Sequence, residues 1–327
     1  MKKPILLSGI QPTGALHIGN YLGALKNHVA LQNSGDYECS FFIADYHALT
    51  EPRTAKEQKK LVENLILDNL AAGLDPKIST LFVQSYIPEH TELAWILSTV
   101  TPMGELERMT QFKDKTARGI SANAGLFNYP ILMAADILLY KARVIPVGDD
   151  QDQHVEFTRM AARNFNKRFG TVFPEPKTAY TRVPRIMSLK DPSKKMSKSD
   201  PNGCLFLTDS PAIIQQKVKA AVTDSHTRVA YDPKERPGIA NLLRIYAELS
   251  EMKEEDVARQ FKDVGYGPFK QALAKTIVET LTPFQKRRRE LVRKKDEAHR
   301  IYTTGSTRAR KQARATMEEV KKKIGLL

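Results

Sequence analysis

Strand-like and helix-like segments alternate through the first half of the chain, and this alternation narrows the fold more than any other feature. Ile5 to Ser8 is a short apolar run ended by Gly9 and Pro12, and an amphipathic stretch follows from Ile18 to Asn33, stopped by Gly35. Ser40 to Asp45 is rich in Phe and Ile. Thr54 followed by Glu57 has the capping-box spacing and predicts a helix with Leu61, Leu65, Ile66 and Leu70 on one face and Gly73 at its end. Thr80 to Gln84 reads as a strand and Glu89 to Val100 as a helix. Arg143 to Val147 and Arg182 to Ser188 read as further strands around a helix from Asp152 to Phe169. Strands separated by helices predict an α/β fold with a parallel, doubly wound, Rossmann-like sheet, whose ligands bind beyond the carboxyl ends of the strands.

After Pro192 the pattern changes. Pro211 to Ala221, Asn241 to Leu249, Glu254 to Lys262, Phe269 to Leu281, Pro283 to Ile301 and Ser306 to Ile324 all read as helices. In the last, Ala309, Ala313, Met317, Val320 and Ile324 recur at helical spacing, so an apolar stripe packs while Arg and Lys face outward. A sheet domain over residues 1–192 and a mostly α-helical domain over residues 193–327 are expected, which suits a chain of 327 residues.

Composition excludes several classes. With 41% hydrophobic residues, disorder over most of the chain is excluded. Two cysteines, Cys39 and Cys204, build neither a disulfide framework nor a four-cysteine metal site, and seven histidines show no zinc-type spacing. No apolar run is long enough to span a membrane. The Met1-Lys2-Lys3 start has a signal-like charge, but Gly9, Gln11 and Pro12 break the run that follows, so a cytoplasmic protein is expected. The net charge is +14, and +10 of it lies from Pro283 onward. That concentration suits a polyanion partner; a solvated basic helix face is the plainer alternative, since no aromatic residues interleave for base stacking.

Two motifs carry chemistry. Ser8-Gly9-Ile10-Gln11-Pro12-Thr13-Gly14-Ala15-Leu16-His17-Ile18-Gly19-Asn20 joins the first strand to a helix whose free N–H groups and positive dipole end point above the sheet. His17 there can donate a hydrogen bond to a phosphoryl oxygen. No Walker A pattern occurs. Far downstream, Lys194-Lys195-Met196-Ser197-Lys198-Ser199 stands between Pro192 and Pro201. Two lysines three apart among small hydroxyl residues make a loop that can close on a pyrophosphate leaving group. A chance match to such a five-residue string is on the order of one in ten thousand in a chain this long.

A third segment, Tyr129 to Tyr140, is apolar except for Asp136. Pro130 suits the first turn of a helix, on which Tyr129, Met133, Asp136 and Tyr140 share one stripe. A carboxylate in apolar surroundings needs donors, either from the protein or from a ligand.

The pairing of a PxxxxHIGN element with KMSKS resembles the class I aminoacyl-tRNA synthetases. The motifs SGIQPTG, GNYLGAL, GELERMTQFKDK, YPILMAADILLY, PVGDDQDQH and RPGIANLL extend the resemblance over nearly the whole chain, toward the bacterial tryptophanyl-tRNA synthetase family. It implies a tryptophan–tRNA ligase that uses ATP with substrate-borne Mg2+, binds tRNA(Trp), and forms a homodimer. No zinc is expected, and no iron–sulfur cluster, since the clustered cysteines that hold one in some relatives are missing. The resemblance assigns His17, Asn20, Lys195 and Lys198 to catalysis. It assigns Gln11, Pro12, Thr13, Gly19, Asn20, Gly148, Asp150, Gln151, Ile186, Lys195, Met196, Ser197, Lys198 and Ser199 to ATP. Leu7, Ser8, Gln11, His47, Tyr129, Met133, Asp136, Ile145, Val147 and Gln151 fall to the amino acid. For Ile186 and Met196, plain core packing is an equal alternative. An indole N–H only donates and a carboxylate only accepts, so Asp136 matches tryptophan. Tyrosine-specific relatives place a Tyr on the first strand and an Asp just after it; this chain has Leu7 and Gln11 there. Leu7 stands where the tryptophan family commonly has Phe, and Tyr46 where Gln is common.

Overall fold

The computed structural model describes residues 3–110, 123–148, 152–180 and 184–327. Five parallel strands form the sheet: β1 (Ile5–Ile10), β2 (Glu38–Ile43), β3 (Thr80–Val83), β4 (Val144–Val147) and β5 (Lys177–Tyr180). Their order is β3-β2-β1-β4-β5. The chain winds outward from β1 to β3 and then returns to the other side of β1. β1 and β4 therefore flank the topological switch point, where an open α/β sheet leaves a crevice for ligands.

Alternation along the strands divides the core. Leu6, Cys39, Phe41, Ile43, Leu81 and Val83 face one side of the sheet, while Leu7, Phe42 and Phe82 face the other. With both faces covered, each strand carries apolar residues on both sides, which is the pattern of a buried parallel sheet. β5 is the exception. Its four residues are exposed or half-buried, so no apolar run marks it, and the strand expected over Arg182–Ser188 lies earlier in the chain. Among the described residues from 184 onward, only an isolated bridge between Met187 and Lys195 occurs there.

The helices follow the capping signals. α1 spans residues 18–34 and includes a π-type stretch at Tyr21–Leu25, where the Lys26 N–H reaches back to the Tyr21 carbonyl. The short α2 (Asp45–Ala48) follows β2, and α3 (Ala55–Ala72) opens with the Thr54–Glu57 capping box. α4 (Glu89–Ser98) and α5 (Met103–Glu107) follow β3. α6 (Ala124–Leu139) begins earlier than Pro130 suggests, because the Asn123 side chain accepts from the Leu126 N–H and caps it there. Pro130 is thus inside the helix rather than in its first turn. α7 (Asp152–Phe169) lies between β4 and β5.

Beyond the sheet come α8 (Pro211–Ala220), α9 (Pro237–Ser250), α10 (Glu254–Gln260), α11 (Tyr266–Arg293) and α12 (Lys295–Ile324). Two expected breaks are absent. Pro283 removes one N–H, yet α11 continues through it because Ile277, Leu281 and Phe284 stay buried on one face. Gly305 lies inside α12 for a packing reason: a Cβ there would overlap the Leu81 carbonyl oxygen. Beside it, Ser306 Oγ accepts from the Val83 N–H at 3.2 Å, so α12 satisfies and covers the β3 edge. From there, Ala298 and Tyr302 join the core of one sheet face, and Ala309, Ala313, Met317 and Val320 that of the other. No helix among the described residues is long and apolar enough to cross a membrane.

Candidate active site

A cavity of about 400 Å3 opens at the switch point, lined by Leu7 to Gln11 from β1 and its turn, and by Ile145 to Gly148 from β4. Tyr129, Met133 and Asp136 of α6 and His47 of α2 close its other side. Of the residues expected around an amino acid, Leu7, Ser8, Gln11, His47, Tyr129, Met133, Asp136, Ile145 and Val147 therefore share one cavity. Asp150 and Gln151 lie outside the described residues. Tyr140 is absent from the cavity lining, because it caps the end of α6 behind Asp136.

Asp136 is 1% exposed and accepts three side-chain hydrogen bonds. His47 Nε2 donates to Oδ2 at 2.9 Å, Gln84 Nε2 donates to Oδ1 at 2.7 Å, and His90 Nδ1 donates to Oδ1 at 2.6 Å. Burial alone pushes the carboxyl pKa up, but the hydrogen bonds from His47 and His90 outweigh it and hold it below the ordinary value. The sequence required donors for this carboxylate; the protein supplies three, against the roughly four that an ionised carboxylate can accept, and Asp136 also lines the cavity. Gln84 and His90 were not readable as its partners, since they sit 52 and 46 residues away in sequence. Near the cavity mouth, Gln11 Nε2 donates to the His47 carbonyl at 2.9 Å, and the Tyr129 hydroxyl pairs with His154 Nε2 at 2.6 Å.

The two signature motifs meet at the start of α1. His17 is its N-cap: Nδ1 accepts from the Gly19 N–H at 3.1 Å, while Asn20 Oδ1 accepts from the His17 N–H at 3.1 Å. Burial, followed by the positive charges of Lys198 and Lys195, lowers the imidazole pKa to about 4. A neutral ring that accepts at Nδ1 carries its proton on Nε2, which makes His17 a donor. Asn20 has its oxygen engaged, and among the described residues its amide N–H groups have no partner. The segment after the lysine loop then pairs with this turn, with Ile18 N–H donating to Leu205 O and Leu207 N–H to Leu16 O.

Lys198 reaches over the turn. Its Nζ donates to Thr13 Oγ1 at 2.9 Å and to the Gly14 carbonyl at 3.4 Å. Gly14 has φ 139°, a conformation that favours glycine, and its open side receives the Lys198 chain. Lys195, Ser197 and Ser199 are exposed, with Ser197 and Ser199 hydroxyls paired at 2.8 Å. Pro12 is buried, and its carbonyl accepts from Arg53 at 3.4 Å. Ile186 and Met196 are buried in the core with Ile18 and Leu22, and the Met196 N–H donates to the Ile186 carbonyl at 3.0 Å. Sequence reasoning missed Gly23, Ala24, Asn27 and His28 of α1, which line the cavity on the β1 side. Their signal was present in the register of α1, three to four residues apart and facing the strand.

Residues 1–282 match the family of tRNA synthetases class I (W and Y). The tryptophan–tRNA ligase of Caldanaerobacter subterraneus subsp. tengcongensis is 48% identical, over 98% of both chains. Among solved structures, tryptophanyl-tRNA synthetase from Mycoplasma pneumoniae superposes with a TM-score of 0.88 at 34% identity, covering 99% of this chain and 98% of that one. The Campylobacter jejuni enzyme, crystallised with ADP and tryptophan, gives 0.85 at 36% identity, over 98% and 99%. The chain belongs to the class I tRNA synthetase (W and Y) family, among its tryptophan–tRNA ligases.

Proposed function

We propose that the chain activates L-tryptophan with ATP and transfers it to the 3′-terminal adenosine of tRNA(Trp). The observation that carries this reading is Asp136, a buried carboxylate, held below its ordinary pKa by protein donors, that lines a cavity whose wall at Leu7 is apolar. The substrate carboxylate attacks the α-phosphorus in line, the bond to pyrophosphate breaks, and the adenylate then passes its acyl group to the ribose 2′-hydroxyl. No covalent enzyme intermediate is needed, so catalysis is orientation and charge stabilisation.

Each side of the site has its task. His17 Nε2–H and the Asn20 amide donate to phosphate oxygens from the start of α1, and Lys195 and Lys198 neutralise the departing pyrophosphate from the loop. Gly19, Gly148 and Asp150 fit the nucleoside, while Gln151 fits the substrate ammonium. Magnesium travels with ATP and shields phosphate charge. The nearby protein groups are His17, Asn20, Thr13 and the lysines, donors suited to phosphate oxygens, so the metal's ligands would be those oxygens. Residues 1–192 then hold both small substrates, and residues 193–327 supply the loop and the basic helices that face tRNA, in the cytoplasm.

A homodimer fits the surface. Trp95, the chain's single tryptophan, is 74% exposed, and Leu49 is 62% exposed. Both line a hollow that backs onto His47 and Tyr129, and exposed apolar clusters of this kind mark interfaces. Mass measurement in solution, with Trp95 fluorescence as the burial reporter, tests it; a monomer with solvent-exposed Trp95 emission refutes it. The activity itself is tested by pyrophosphate exchange with each of the amino acids. Tryptophan is expected to give the highest kcat/KM, and a higher value for tyrosine would overturn the assignment.

A further inference from the structure

Asp136 is held by protein donors, and those donors are themselves held. His90 is fully buried on α4, with Nδ1–H on Asp136 Oδ1 and Nε2 accepting from the Tyr140 hydroxyl at 2.8 Å. An ionised carboxylate only accepts, so the bond to Asp136 keeps a proton on Nδ1; the Tyr140 hydroxyl then completes the relay from the other ring nitrogen. Phe42 and Phe82 stand beside the imidazole, with ring centroids 6.2 Å and 6.1 Å away, and keep the relay dry.

We infer that His90, backed by Tyr140, is a positioning residue for amino-acid specificity: it fixes Asp136 as an acceptor with its open lone pair toward the substrate N–H. This rests on the tryptophan reading above. α12 braces both members of the pair. Glu89, adjacent to His90, accepts from Arg310 Nε at 3.1 Å and from Arg314 Nε at 3.2 Å, and Gln312 Nε2 donates to the Tyr140 carbonyl at 3.0 Å.

The titratable groups facing Asp136 are His47 from α2 and His90 from α4; behind them stand Tyr140 on its own helix and Glu89 with its two arginines. Burial and the charges of Asp136 and Glu89 raise the Tyr140 pKa well above its ordinary value, so it stays a donor. Without the His90 donor, burial would raise the pKa of Asp136. With only His47 and Gln84 left to oppose burial, the carboxyl would take up a proton at a higher pH than in the wild type.

The test is amino-acid-dependent pyrophosphate exchange with tryptophan and with 3-benzothienylalanine, an isostere whose sulfur replaces the N–H, across acid to alkaline pH. Wild-type enzyme is expected to prefer tryptophan at a ratio that pH leaves flat. His90→Ala should lower that ratio about tenfold or more, the loss expected when a bond to a charged group is removed, and the ratio should recover as pH rises. His90→Gln, whose amide can still donate to Oδ1, should restore part of it. Tyr140→Phe removes one oxygen, keeps the packing, and should shift the ratio in the same direction. If His90→Ala or Tyr140→Phe lowers kcat/KM equally for both substrates with no pH dependence, the role is structural and the inference is overturned. A wild-type enzyme indifferent to the N–H would overturn the tryptophan reading itself, and it would be seen without any variant.

Discussion

Replacing Lys198 by alanine should slow adenylate formation without weakening tryptophan binding. The ammonium lies 2.9 Å from Thr13 Oγ1, directly over the turn that leads to His17, and burial draws its pKa below the ordinary value. It is therefore partly desolvated already and loses little more when it meets a phosphate. A unit charge about 4 Å from a growing negative charge is worth roughly 4 kcal/mol at an effective dielectric near 20. Only part of a unit charge develops on the leaving group in the transition state, so roughly 2 to 4 kcal/mol is at stake. That corresponds to a factor of about 30 to 1,000 in rate. Lys198 is absent from the cavity lining around Asp136, so tryptophan affinity has no reason to change. Single-turnover adenylate formation and equilibrium dialysis of tryptophan separate the two. Losses of equal size in both would refute a transition-state role and leave Lys198 as a loop tether. Lys195→Ala should behave in the same direction, and Lys198→Arg should recover part of the rate, because charge is kept while the compact geometry is not.

Three further outcomes are expected. Ser306→Ala leaves the buried Val83 N–H without its acceptor, which should destabilise the fold by about 1 to 3 kcal/mol in urea unfolding; an unchanged midpoint would mean that water takes over. His28 is buried, stacks on Phe41 at 4.7 Å, has no partner for Nδ1 among the described residues, and its pKa is lowered by burial to about 4. Between pH 6.5 and about 4 the unfolded chain binds a proton that the folded one refuses, so stability falls as pH falls through that window. His28→Phe should flatten that part of the pH–stability curve, and an unaltered slope would assign the loss to other groups. Finally, added salt should slow tRNA charging more steeply than pyrophosphate exchange, since the +10 surplus lies from Pro283 onward; equal slopes would return that tail to an ordinary solvated face.

The fold was legible wherever local chemistry and packing agree. The Thr54 cap, the apolar runs of β1 to β4 and the stripe from Ala309 to Val320 all satisfy their own periodicity, and each is found where the pattern puts it. Reading failed where tertiary contacts override local preference. Gly305 and Pro283 look like breakers, but one is demanded by the Leu81 carbonyl and the other is held by buried neighbours. β5 carries no apolar run because it is an exposed edge, so its only signature is pairing with β4.

The site divides along the same line. Turn motifs announce themselves because glycine, histidine and lysine at fixed spacing serve backbone geometry and charge at once. The Asp136 carboxylate announces only a need: one charge in an apolar helix requires donors, and the sequence cannot say whether they come from protein or ligand. The structure supplies the protein's share. Three donors from α2, α4 and the turn after β3 hold the Asp136 carboxylate at the cavity wall. A buried acid with no protein donors would be neutral and unable to discriminate, and one with every lone pair filled would be inert. In the tryptophan reading proposed above, discrimination depends on a carboxylate that the protein satisfies only in part, a property of the assembled network that no single segment of the chain encodes.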